Sequence, residues 1–326
     1  MITFFYRNPK VGFSIGKVFK TITDEMRQNE KMHEVFMPSE GSMPWDLVKN
    51  SWFTFKHRNK AGINHITGHI HDVVLGLFGC KIVLTIHDLV FLDNVKNPIK
   101  RFYKWLFWLY LPIKLANKVV CISNQTKNNI LAHIKTDKLF VIENPIDPMF
   151  KYLPKEFNKE KPVILHIGTG WNKNLLRVVE ALIDIPCHLR IVGKLSVEQN
   201  FALKKSGIEY STIFNISDLE IKEEYVNCDI VSFPSEYEGF GMPIIEGQKT
   251  GRVVVTSQIE PLIEVSGDAV EYVKPLDVNS IREGFLSVIK NNDSRNSKIA
   301  LGQKNVERYA VSKIAEEYKN VYKSII

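Results

Sequence analysis

Short apolar runs alternate with helix-like stretches along nearly all 326 residues, twice over, and few architectures tolerate that rhythm. Runs at 2–6, 33–37, 81–86, 118–122 and 138–142 read as strands of a first set. Those at 162–167, 188–192, 211–214, 229–233, 252–256 and 270–273 form a second. Strands covered on both faces read as continuous apolar runs, and strand–helix–strand connections make them parallel. The pattern predicts two doubly wound α/β domains, each long enough to bury its own core. Ligands of such domains bind outside the carboxyl ends of the strands, so the loops after each run are where chemistry is expected.

The segment 143–148, with prolines at both 145 and 148, breaks regular structure, and the charged stretch 155–161 reads as a linker. The domains are therefore expected at 1–152 and 153–308, followed by a terminal helix at 309–326. In that helix Ile314, Tyr318, Val321, Tyr322 and Ile325 fall on one stripe. No run of eighteen apolar residues predicts a membrane span. The first strand begins at Ile2 without the charged and apolar regions of a signal peptide. Cys80, Cys121, Cys187 and Cys228 are widely spaced and form no Cys-x-x-Cys pair, which predicts buried thiols in a reducing, cytoplasmic compartment. A net charge of +7 points to anionic partners. Zinc-finger and RNA-recognition signatures are missing, so nucleic acid is not expected among them.

The most chemical stretch follows the strand run 229–233. It reads Pro234-Ser235-Glu236-Tyr237-Glu238-Gly239-Phe240-Gly241-Met242-Pro243, with Glu246 about one helical turn further. Gly239 and Gly241 let backbone approach a ligand closely, and Pro243 suits the first turn of a helix. The amides of Gly239, Phe240, Gly241 and Met242, at the positive end of a helix dipole, suit a phosphate. A second cradle, His166-Ile-Gly-Thr-Gly-Trp-Asn-Lys-Asn-Leu175, follows the strand run 162–167 and offers Gly168, Thr169 and the mobile cation Lys173.

Glu238 and Glu246, separated by seven residues inside that glycine-rich turn, resemble the signature of retaining glycosyltransferases of family 4. The resemblance implies the GT-B fold: two Rossmann-like domains facing a cleft, with the terminal helix crossing back to the N-terminal one. It implies a hexosyl-type transfer from a nucleoside-diphosphate sugar to a hydroxyl acceptor, saccharide or lipid-linked, in cell-envelope polysaccharide or glycolipid assembly. Glu246 then binds the ribose diol, Glu238 the donor sugar, and Lys173 the diphosphate. Gly193 and Asn215 border the base. The family's phosphate-binding arginine is replaced by Thr169, for which Lys194 is the nearest compensating cation. A catalytically weak or inactive nucleotide-sugar-binding scaffold is the alternative that this replacement raises.

In the first domain, Leu84-Thr-Ile-His-Asp-Leu89 is similar to the family's segment whose histidine lies beside the donor, which assigns His87 to that role. Gly12, with Gly16 as its neighbour, stands where family members place a glycine near the donor phosphate. No two aspartates are separated by one residue, so the metal-binding Asp-x-Asp of many glycosyltransferases is missing and no cofactor or metal is expected. His65, His69 and His71 match neither a helical His-x-x-x-His nor a zinc-finger pair. Residues 99–118 hold five cations, no acid and a dense run of aromatics. They read either as a buried helix or as a peripheral contact with an anionic membrane surface on the inner face of the cell membrane. A nicotinamide oxidoreductase would show Gly-x-Gly-x-x-Gly after the first strand, and that pattern is not there.

Overall fold

The computed structural model describes residues 1–11, 14–27 and 30–326. The chain divides into two compact units, Met1–Pro145 with Val311–Ile326, and Ile146–Ala310. In the first, strands β1 (Ile2–Tyr6), β2 (Met32–Phe36), β3 (Ile63–Ile66), β4 (Lys81–Ile86), β5 (Lys118–Cys121) and β6 (Leu139–Val141) form one sheet. Their order is β2-β1-β3-β4-β5-β6 and every pairing is parallel. The order reverses between β1 and β3, which makes the crevice outside their carboxyl ends a topological switch point.

Strand β3 is not among the strands expected from sequence, because Asn64 and His65 interrupt its apolar pattern. Both are fully buried and satisfied. Asn64 accepts from the Asn59 amide at 2.8 Å and donates to the Asn59 carbonyl. His65 hydrogen-bonds Tyr322 Oη at 2.6 Å and Thr85 Oγ1 at 2.9 Å. Tyr322 belongs to the helix Val311–Lys323, which buries Ile314, Ala315, Tyr318 and Val321 against Phe4, Phe19 and Ile22 of the first unit.

Residues 98–115 are helical with a wider turn at Trp105–Tyr110. Pro112 has no amide hydrogen to give the carbonyl of Trp108, and His71 Nδ1 donates to that oxygen at 2.9 Å instead. Trp108, Leu109 and Ile113 are buried, whereas Ile99 and Phe102 are exposed. This segment is therefore core at its centre, with its exposed apolar residues near its start and Lys114 exposed near its end.

The second unit pairs β7 (Val163–Ile167), β8 (His188–Val192), β9 (Glu209–Ile213), β10 (Ile230–Phe233), β11 (Val253–Ser257) and β12 (Glu271–Val273). The order is β12-β11-β10-β7-β8-β9, again parallel throughout. Its switch point lies between β7 and β10. The expected linker at 155–161 is instead bound to this unit: Asp229 accepts from Lys155 Nζ at 2.8 Å and from the amides of Asn158 and Val163. Charge made the stretch look solvated, but its charges are partly used in anchoring it. No helix among the described residues is long and apolar enough to cross a membrane.

Candidate active site

The two loops flanking the second switch point carry the site. After β7, Gly168 takes φ +90°, and a Cβ there would sit 3.0 Å from Lys173 Cγ, so only glycine lets the lysine stem fold across the loop. Thr169 Oγ1 donates to the carbonyl of Lys194 at 2.7 Å, and a Cβ on Gly193 would lie 2.7 Å from Thr169 Cγ2. The threonine thus ties the loop after β7 to the loop after β8. Lys194 is exposed.

Two asparagines then join this loop to the one after β10. Asn174 adopts left-handed φ 64°, which asparagine tolerates, and its Nδ2 donates to the carbonyls of Pro234 at 2.9 Å and Pro275 at 2.6 Å. Asn172 accepts from the Glu236 amide at 2.8 Å and donates to the Tyr237 carbonyl at 2.9 Å and Glu238 Oε1 at 3.3 Å. Arg177 holds Glu236. With the loops so fixed, Lys173 Nζ stands 2.6 Å from Glu238 Oε1 and 4.6 Å from the centre of the Phe233 ring. Both members of the ion pair are mostly shielded, with side-chain exposures of 22% and 12%.

Beyond Glu238 the chain turns through Gly241 at φ +116°, where a Cβ would lie 2.8 Å from Leu262 Cδ2. The helix Met242–Thr250 starts there with no side-chain cap. Its first amides form a positive terminus shortly after Glu238 in the chain, an arrangement that attracts an anion. Phe240 is buried edge-on against Tyr309 and fixes the turn. Glu246, in the second turn of the helix, accepts from the buried Tyr225 hydroxyl at 2.5 Å. Burial and the Glu246 charge push the Tyr225 phenol well above its ordinary pKa, so it stays a donor. Asn215 follows β9 in left-handed conformation at φ 55°. Gly168, Thr169, Lys173, Gly193, Lys194, Asn215, Glu238, Gly239, Phe240, Gly241, Met242 and Glu246 all lie in loops or helix starts that follow the carboxyl ends of strands in this unit.

His87 belongs to the first unit. It is buried, and its Nε2 donates to the carbonyl of Thr67 at 2.8 Å, directly after β3. Burial, then the nearby His69, lower its pKa, so the ring is neutral and Nδ1 keeps a lone pair able to accept from a hydroxyl. Gly68 at φ +124° makes room: a Cβ would lie 2.4 Å from His87 Cδ2. His69 Nε2 lies 3.4 Å from Asp88 Oδ2. Arg7, after β1, has a buried Nε with no hydrogen-bond partner among the described residues and lines a cleft of about 400 Å³ with Tyr6, Phe36 and Gly16. Gly12 lies outside the described residues.

The three histidines of 65–71 do not converge. His65 is held by Tyr322 and Thr85 and His71 by Trp108, while the His69 ring centre lies 6.2 Å from that of His87 and 6.4 Å from that of His71. No group of three or more metal-ligating side chains is found among the described residues. Sequence reasoning missed Tyr225, Asn172, Asn174, Arg7 and the His69–Asp88 contact. An asparagine on each side of Lys173 was the available signal for the loop junction. The unrecognised β3 concealed the placement of His69.

The chain matches two family models: that described as Glycosyl transferases group 1 over residues 152–305, and that described as Glycosyltransferase Family 4 over residues 20–150. It is 24% identical to the Uncharacterized glycosyltransferase MJ1178 of Methanocaldococcus jannaschii, over 74% of this chain and 68% of the relative. It is 25% identical to the O-antigen biosynthesis glycosyltransferase WclY of Escherichia coli, over 83% of this chain and 81% of the relative. Its fold is similar to that of Anabaena Alr3699/HepE, crystallised in complex with UDP and glucose, with a TM-score of 0.78 at 15% identity over 99% of both chains.

Proposed function

This chain belongs to the family 4 type of glycosyltransferases and has their GT-B fold, and from that premise we propose a retaining, metal-independent hexosyl transfer. The donor is a nucleoside-diphosphate sugar, and the acceptor is a hydroxyl of a saccharide or lipid-linked saccharide in envelope assembly. The relative named for O-antigen biosynthesis and the structural neighbour holding UDP and glucose support the donor and acceptor classes.

The observation that carries the reading is Lys173 Nζ at 2.6 Å from Glu238, which shortly precedes a helix start without a side-chain cap. Breaking the bond between the sugar's anomeric carbon and the diphosphate leaves negative charge on the phosphate. Lys173 and the first amides of Met242–Thr250 offset that charge, while Glu238 faces the cation-like sugar. Glu246, oriented by Tyr225, grips the ribose diol. His87 accepts from a donor hydroxyl through Nδ1. The acceptor oxygen bonds to the anomeric carbon on the face the diphosphate leaves, and its proton passes to the departing phosphate oxygen.

A screen of nucleoside diphosphates by thermal shift, followed by product analysis with matching donors, tests each part. Stabilisation by one nucleoside diphosphate, turnover persisting in EDTA and a product keeping the donor's anomeric configuration are expected. An inverted product defeats retention, full loss of turnover in EDTA defeats metal independence, and no stabilisation by any nucleotide defeats the donor assignment.

A further inference from the structure

The helix Pro44–His57 leaves most of its large apolar side chains on its outer face. The face it turns to the first unit combines close small and polar contacts with the half-buried Leu47 and with Phe53, which packs on the core. Asn50 Oδ1 accepts from the Ser39 amide at 3.1 Å, Thr54 Oγ1 lies 3.5 Å from Met37 Sδ, and Ser51 packs so closely that a Cβ on Gly76 would fall 2.2 Å from its carbonyl oxygen. The opposite face carries Trp45, Val48, Trp52 and Phe55, with exposures of 84%, 59%, 59% and 44%. At 3.6 residues per turn these four span an arc of roughly 80°. Four large apolar side chains in one exposed stripe are a surface that expects cover.

Charge says what the cover is. Lys56 Nζ sits 5.1 Å over the Trp52 ring and Arg58 Cζ 3.5 Å over Phe55, and Lys49 and Lys60 are exposed alongside. The helix's one acid, Asp46, is spent on its own start, accepting from the Met43 amide at 3.1 Å. Lys104 Nζ reaches Ser42 Oγ at 2.8 Å, which brings the helix Pro98–Lys104 beside the entry to this one. That second helix adds exposed Ile99 and Phe102, flanked by the exposed Lys100 and Arg101, with no acid. Tryptophans interleaved with cations suit the boundary between acyl chains and anionic head groups, where an indole buries its ring and keeps its N–H wet.

We propose that this face, the outer stripe of Pro44–His57 joined by Ile99 and Phe102, docks the protein on an anionic lipid bilayer. Trp45, Val48, Trp52 and Phe55 enter the acyl boundary, and Lys49 and Lys56 meet the head groups. The docking stands on this geometry and is independent of the transfer reaction.

The test is flotation of the full chain with phosphatidylcholine vesicles, with and without phosphatidylglycerol. Binding is expected only with the anionic lipid, weakening as salt rises. Trp45→Ser with Trp52→Ser lowers partitioning on the order of tenfold or more. Lys49→Gln and Lys56→Gln each lower it about fivefold. All these positions are exposed, so unfolding temperature and nucleoside-diphosphate binding stay unchanged, which separates this outcome from a failure of the donor site. Absent flotation, or flotation indifferent to the tryptophans, overturns the proposal. So does a stripe that mediates self-association, seen as a dimer in sedimentation that Trp45→Ser with Trp52→Ser abolishes while vesicles stay unbound.

Discussion

Lys173 and Tyr225 both act on glutamates of the same turn, yet their loss should read differently in kinetics. Lys173 offsets charge that appears only as the diphosphate departs, so Lys173→Ala should lower kcat by about 10²–10³, the usual loss for one such donor. Tyr225 acts on Glu246, which binds ribose equally before and during reaction. Tyr225→Phe removes a hydrogen bond to a charged group, worth about 1.5–3 kcal/mol, and should raise the donor KM at least tenfold with kcat nearly constant. Steady-state kinetics of the two variants decide it; a kcat loss in Tyr225→Phe matching that of Lys173→Ala would remove Glu246 from the ribose. The glutamates themselves were legible in sequence because one strand–turn–helix unit holds both. Tyr225 was not, since it ends a preceding helix, Asp218–Asn227, and reaches Glu246 only once β10 has entered the sheet.

At the scale of elements, the site depends on the loop after β7 being fastened to the loop after β10, and Asn174 shares that fastening with Asn172. Asn174→Ala loses two hydrogen bonds to carbonyls, about 1 kcal/mol each, and forces a Cβ without a polar side chain into the left-handed region, at about 1 kcal/mol more. Asn174→Gly loses the bonds but not the conformation. Urea unfolding should therefore rank wild type above Gly above Ala, with both variants binding nucleoside diphosphate more weakly because Lys173 and Glu238 are no longer held together. Equal stability of the two variants would mean that the backbone conformation costs nothing there. Most strands were readable because a parallel sheet buries continuous apolar runs, as in Val253–Ser257. Strand β3 failed that rule: Asn64 and His65 lie in its centre and are satisfied by Asn59, Tyr322 and Thr85, partners far apart in sequence. The helix Pro44–His57 shows the same limit from the other side. Periodicity reveals that it has an apolar stripe, but which face turns inward depends on partners remote in sequence: Gly76, whose missing Cβ admits Ser51 and Thr54, and Met37, whose sulfur takes the Thr54 hydroxyl.

Across the whole molecule the buried histidines are unevenly divided, and acid should expose the difference. Burial lowers His65 and His71 to about 3 in the first unit, where His87 is lowered as well; in the second unit burial, then Lys173, lower His166 to about 3. A histidine whose folded pKa is depressed stays neutral in the fold while the unfolded chain takes up protons. Its stabilisation is complete above the unfolded value of about 6.5 and is lost as pH falls from there toward about 3. At about pH 5.5 each such group has cost about 1 kcal/mol. Asp72, pushed up to about 6 by burial, works in the opposite direction in the first unit and returns a similar amount. Burial raises Asp93 and Glu317 of this unit as well, but both are exposed, so three buried histidines still leave the first unit the more acid-sensitive. Four of the five tryptophans, Trp45, Trp52, Trp105 and Trp108, lie in that unit and only Trp171 in the other, so fluorescence follows the first unit while circular dichroism follows both. Between pH 7.5 and about 5.5 the fluorescence midpoint should fall further than the dichroism midpoint, by several degrees. Replacing His71 by Asn should narrow the gap, since the amide can still donate to Trp108 and carries no proton to gain. Midpoints that fall together, or a gap unchanged in the variant, would show that the acid sensitivity lies elsewhere than in these buried rings.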